Sequence, residues 1–132
     1  MNYLLDTHTL LWARFSADKL TNTQRAIIES GQEEKFISSI TVWEISLKFS
    51  LGRIELGGRT PEEFIAGIHG VGIRVITPTP DQYATFYLLP KMAGHKDPFD
   101  RMIIWHAINS GLALVSSDTK MPSYKIHGLR VV

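Results

Sequence analysis

The sequence predicts an α/β fold: a three-layer α/β/α sandwich around a central, mainly parallel sheet of about five strands. Short apolar runs alternate with longer amphipathic segments along the whole chain, and capping signals open several of those segments. No internal repeat, low-complexity tract or Pro/Gly/Ser linker interrupts the alternation. Strands separated by helices cannot pair through tight hairpins, so their sheet is parallel and covered on both faces. At 132 residues the chain has the size of one domain, 1–132, with a core of its own.

The elements follow in order. "NYLL" (2–5) is a short apolar run suited to a central strand, and "THTLLWARF" after it has helical spacing. Thr21 with Gln24 three residues on has the form of a capping box, opening a helix that closes near Gly31. "FISS" (36–39) is a second strand, and "ITVWEISLKFSLG" (40–52) is a helix ended by Gly52. Thr60, Pro61 and Glu63 give another capping box, with proline at the first helical position. "IRVI" (73–76) is a third strand, followed by a helix starting near Pro80. "PFDRMIIWHAINSG" (98–111) is a helix ending at Gly111, "LALVSS" (112–117) a fourth strand, and "LRVV" (129–132) an edge strand.

Composition narrows the function. With 44% hydrophobic and 20% charged residues the chain is of ordinary folded type. The absence of cysteine excludes disulfides, thiolate metal sites and cysteine nucleophiles. "MNYLLDTHTLLWARF" has no basic lead and meets Asp6 after three apolar residues, so it is neither leader nor membrane span, and the expected address is cytoplasmic. Gly52 to Gly57 has P-loop spacing but is followed by Gly58-Arg59, not Lys-Ser/Thr, and no G-x-S-x-G elbow occurs.

The carboxylates are more informative. Ligands of open α/β sheets bind beyond the carboxyl ends of the strands, where Asp6 and Asp118 fall. Taken singly, each is equally well a turn or capping residue. In "HKDPFDRMII", a step of 100° per residue puts Asp100 on the face of Ile103, Ile104 and Ala107, pointing inward at the helix's first turn. Asp97 precedes Pro98 and has the features of an N-cap, with a metal role as its alternative. The same geometry puts Glu44 beside Ile40, Leu47 and Leu51, where Lys48 at i+4 is a partner too weak to offset burial of a carboxylate. Asp6, Glu44, Asp100 and Asp118 are thus expected at one sheet edge. Clustered carboxylates need a cation, and oxygen donors favour Mg²⁺ or Mn²⁺ over zinc. Metal-dependent phosphoryl chemistry follows.

With these residues in view, "LLDTH", Glu44 after the second strand, "HKDPFDRMII" and "LVSSD" resemble a PIN-domain ribonuclease, and within that family the VapC-type toxins of bacterial toxin–antitoxin pairs. The resemblance covers essentially the whole chain, and "DPFDR" is its most specific part. It implies a metal-dependent endoribonuclease with Asp6, Glu44, Asp100 and Asp118 as catalytic and metal-ligating residues, Thr7 and Ser116 as polar neighbours, and Mg²⁺ or Mn²⁺ as cofactor. It further implies an RNA substrate, a homodimer and a cognate antitoxin protein. A catalytically silent scaffold binding RNA or a partner is the competing reading. A phosphoacceptor receiver domain fits less well, because Asp6-Thr7-His8 lacks the paired acids it uses.

Setting the four carboxylates aside leaves nine acidic residues against fourteen basic, net +5, so the near-neutral total hides a basic remainder. Arg14, Lys19, Lys48, Arg53, Lys91, Lys96, Arg101 and Lys120 are the candidate phosphate contacts, about half of them expected to touch RNA. Arg101 suits either a phosphate contact or a salt bridge within the site. His8 and His95 lie near the acidic residues, where a histidine is more often structural than catalytic. His69, His106 and His127 have no metal-binding spacing, and Trp12 and Trp43 are expected to pack rather than stack on bases.

Overall fold

In the computed structural model, which describes residues 1–132, the five apolar runs form one all-parallel sheet. β1 (Asn2–Leu5) is central, flanked by β2 (Glu34–Ser38) and β4 (Ala113–Val115), with β3 (Ile73–Ile76) and β5 (Arg130–Val131) at the edges. The order β3-β2-β1-β4-β5 means that the chain winds outward from β1 to β3 and then restarts on the other side. The reversal opens a crevice between the carboxyl ends of β1 and β4.

Period-two alternation builds the layers. Tyr3, Leu5, Ile37, Ala113 and Val115 face one side, where Leu10 of α1 (Thr7–Phe15), Ile27 of α2 (Asn22–Glu29), and Phe64 and Ile68 of α4 (Pro61–His69) cover them. Ile45 of α3 (Ser39–Ser50) joins that core. Leu4 and Leu114 face the other side, under Ile103, Ile104 and Ala107 of α6 (Pro98–Ser110). Met121 and Tyr124, from a 3₁₀ segment at Met121–His127 that the sequence pattern did not announce, complete that second core. No helix is long and apolar enough to cross a membrane.

The expected caps are present. Thr21–Gln24 and Thr60–Glu63 form reciprocal capping boxes, and α5 (Pro80–Ala84) adds a third through Thr79 and Gln82. Gly111 closes α6 in the left-handed conformation, φ 65°, which a side chain would strain. Two expectations fail along α3. Leu47 and Leu51 are 38% and 56% exposed and Trp43 62% exposed, because Glu44's stripe borders the crevice while the adjacent Ile45 enters the core. The fourth strand also stops at Val115, although the Ser116 N–H still donates to the Val132 carbonyl at 3.1 Å.

Candidate active site

Each carboxylate is positioned by an element boundary. Asp6 leaves β1 in extended conformation and caps α1, accepting the Thr9 N–H at 2.8 Å, while its second oxygen accepts the Ser116 hydroxyl. Capping and site roles therefore coexist in one residue. Asp118 lies three residues beyond β4, where its N–H donates to Ser116 Oγ (3.1 Å) and its Oδ1 accepts the Lys120 N–H (2.9 Å). Ser116 thereby ties the two aspartates together. Glu44, on the second turn of α3, is 1% exposed. It accepts the Thr7 hydroxyl and the Lys48 ammonium, each at 2.6 Å, and Thr41 supports Thr7 from behind at 3.0 Å. Thr7 and Ser116 thus orient carboxylates, their hydroxyls already engaged rather than offered to a substrate.

α6 separates the two aspartates of "DPFD". Asp97 adopts extended backbone ahead of Pro98 and accepts the Phe99 N–H at 2.9 Å, which makes it the N-cap. Asp100, one turn in, points its carboxyl into the crevice. Burial, then the negative charges of Asp97, Glu44, Asp6 and Asp118, push its pKa up to about 7. The coupling places all four proposed ligands in one electrostatic cluster. Asn also caps well, so Asp97→Asn is expected to change stability by less than about 0.5 kcal/mol, whereas Asp97→Ala costs about 1 kcal/mol. Urea denaturation of both variants checks this; equal losses would mean that the cap hydrogen bond contributes nothing specific.

One residue of the site was undervalued from sequence. The ligand atoms of His95, Asp100 and Asp118 lie within 4.8 Å of one another. His95 is 4% exposed, with Nδ1 2.7 Å from the Tyr124 hydroxyl and Nε2 3.6 Å from Asp100 Oδ2. Burial lowers its pKa, against the opposing pull of the Asp118 and Asp97 charges. Arg101 forms no salt bridge with a site carboxylate. Its guanidinium donates to the carbonyls of Leu89 and Pro90 (2.9 and 3.0 Å) and stacks on Phe86, anchoring the irregular loop that carries His95.

Residues 3–126 match the family model of the PIN domain. The chain belongs to the PIN-domain family. Solved structures similar to this PIN domain include VapBC2 of Rickettsia felis bound to a promoter DNA fragment (18% identity, TM-score 0.70, covering 100% of this chain and 98% of that one). VapBC-1 of nontypeable Haemophilus influenzae (20%, 0.68, 100% and 97%) and DNA-bound VapBC of Salmonella typhimurium (21%, 0.66, 100% and 97%) are also similar. A search of curated protein sequences returns no match.

The donor set of this PIN domain fits a divalent cation. It offers carboxylate oxygens and one imidazole nitrogen, and Lys48 is the one ammonium paired with a site carboxylate. Lys91, Lys96 and Arg101 line a cleft of about 440 Å³ beside His95, and Lys120 follows Asp118 by two residues. These lysines are solvent-exposed beside the acidic residues. Arg14 lies elsewhere. α1 starts at the carboxyl edge and runs back along the sheet, carrying Arg14 to the opposite edge beside Glu33, Lys35 and Ile73, where β2 and β3 begin. Lys48 is committed to Glu44, and Lys19 lies over the Trp12 ring.

Proposed function

We propose that this PIN domain is a metal-dependent endoribonuclease, the toxin of a VapC-type toxin–antitoxin pair acting in the cytoplasm. The observation that carries the reading is the convergence of Asp6, Glu44, Asp100 and Asp118 at the switch point of the sheet, with Asp100 driven toward neutrality by burial, Asp97 and the other three. Such a cluster is unfavourable until a cation joins it.

Asp100 and Asp118 would hold the ion, with Asp6 and Glu44 as further ligands or water-orienting bases. A bound Mg²⁺ or Mn²⁺ supplies Lewis acidity at a phosphodiester oxygen and lowers the pKa of water for attack. The chain's own part is orientation. Thr9 and Ser116 fix Asp6, Thr7 and Lys48 fix Glu44, and Arg101 anchors the His95 loop. Lys91, Lys96 and Lys120 neutralise the RNA backbone on either side of the scissile bond.

The outer face of α3 supports an antitoxin partner and a homodimer. Trp43, Leu47 and Leu51 are exposed on the flank of α3 beside Glu44, and Phe49 lies on the other flank, where a groove of about 630 Å³ between α3 and α4 is lined by Val42, Phe49 and Ile65. Clustered exposed apolar side chains of this kind mark protein contacts.

The test is cleavage of a panel of structured RNAs with Mn²⁺, with Mg²⁺ and with EDTA. Cleavage in the first two and none in EDTA is expected, with Asp6→Asn reducing the rate by on the order of 100-fold at unchanged fold. EDTA-resistant cleavage, or full activity of Asp6→Asn, refutes metal-dependent catalysis. Binding without cleavage of any RNA supports the silent scaffold instead.

A further inference from the structure

His95 Nε2 is buried without a hydrogen-bond partner, although the rest of its ring is tightly placed. At 3.6 Å, Asp100 Oδ2 is too far for a hydrogen bond. Nδ1 meets the Tyr124 hydroxyl at 2.7 Å, and the two rings pack edge to face at 5.4 Å, fixing where Nε2 points. It points at Asp100 and Asp118, and the three ligand atoms lie within 4.8 Å of one another. Around one ion with bonds of about 2.1 Å, neighbouring donors stand about 3 Å apart and opposite ones about 4.2 Å. The observed separation from Asp100 falls between those values.

Resting on the acidic-site reading above, we propose that His95 Nε2 is a nitrogen ligand of the ion held by Asp100 and Asp118, and that it biases the site toward a first-row transition ion over Mg²⁺. Ligation through Nε2 requires the proton on Nδ1, which then donates to the Tyr124 oxygen. Tyr124 is fully buried and so acts as the orienting partner that metal-bound imidazoles generally have. Mg²⁺ accepts an imidazole poorly and prefers oxygen and water, whereas Mn²⁺ and later ions accept nitrogen more readily.

The experiment titrates the metal-free protein with MnCl₂ and separately with MgCl₂ by calorimetry, and records electron spin-echo modulation of the Mn²⁺ form. Wild type is expected to bind Mn²⁺ at least about tenfold more tightly than Mg²⁺ and to show ¹⁴N modulation from a directly bound histidine. His95→Gln loses that modulation and weakens Mn²⁺ by about 10- to 100-fold, with Mg²⁺ changed less than about threefold. Tyr124→Phe keeps the modulation and weakens Mn²⁺ by about tenfold, which separates ligation from orientation. The wild-type spectrum decides the question even where a variant folds poorly. Mn²⁺ binding that Asp100→Asn abolishes, without ¹⁴N modulation, overturns the role of His95 and leaves the acidic site standing. Modulation that persists in His95→Gln assigns the nitrogen elsewhere and also overturns it. No Mn²⁺ binding at millimolar concentration overturns both readings.

Discussion

Asp100→Asn is expected to reduce metal-dependent RNA cleavage by on the order of 100- to 1000-fold and, in the same protein without metal, to raise stability at pH 8. Both effects have one source. A carboxyl that is mostly buried beside four other carboxylates ionises only near pH 7, against 3.8 for an unperturbed aspartate. The folded state therefore prefers the protonated form. The group imposes no penalty below pH 3.8; the penalty grows as pH rises and is complete above about 7. Taken at face value the shift is about 4 kcal/mol, and discounting for partial exposure and screening leaves about 2 kcal/mol. The neutral amide removes that penalty, so metal-free Asp100→Asn should melt about 5 °C above wild type at pH 8 and within about 1 °C of it at pH 4. Adding Mn²⁺ should reverse the order at pH 8, because the ion stabilises only the protein that binds it. Thermal melts at the two pH values, with and without Mn²⁺, check this. A variant that is less stable at both pH values would show that Asp100 supports the first turn of α6 rather than the crevice.

Asp100 also shows how far a single sequence reaches. A proline and a helical step of 100° separate Asp97 from Asp100, and the structure gives one the cap and the other the crevice. Local rules suffice there because both residues belong to one helix. The same holds for the capping boxes at Thr21 and Thr60 and for β1 as the central strand. His95 obeys no such rule. It comes into place through the loop pinned by Arg101 and through Tyr124 from a distant 3₁₀ segment, contacts between parts of the chain with no shared periodicity. Arg14 failed for a geometric reason: closeness in sequence to Asp6 says nothing once a nine-residue helix has carried the chain to the other edge. Trp43 packs edge to face on Phe99 yet stays exposed, because helix α3 leaves one flank uncovered.

His106 is expected to act on stability in the opposite direction across the same pH range. It is 1% exposed on α6, with Nδ1 2.9 Å from the hydroxyl of Ser38, the residue that caps α3 by accepting the Ile40 N–H. Burial pushes its pKa down to about 4 from 6.5, so the folded state holds it neutral while the unfolded chain protonates. Stability relative to neutral pH therefore falls as pH drops below 6.5, by about 1.4 kcal/mol per pH unit until about pH 4, a total near 3 kcal/mol. Over that interval Asp100 in the metal-free protein is relieved of its penalty by about 2 kcal/mol, so the two residues partly cancel. Metal-free wild type should accordingly lose only about 1 kcal/mol through this pair between pH 7 and pH 4. Asp100→Asn, lacking the compensation, should lose about 3 kcal/mol through His106 over the same range. His106→Gln, which keeps a group able to bond Ser38, should gain stability relative to wild type on acidification. Urea melts of the three proteins at pH 7, 5.5 and 4 test this, since the slope must be shallower than wild type in His106→Gln and steeper in Asp100→Asn. Parallel slopes would mean that neither residue links folding to protons.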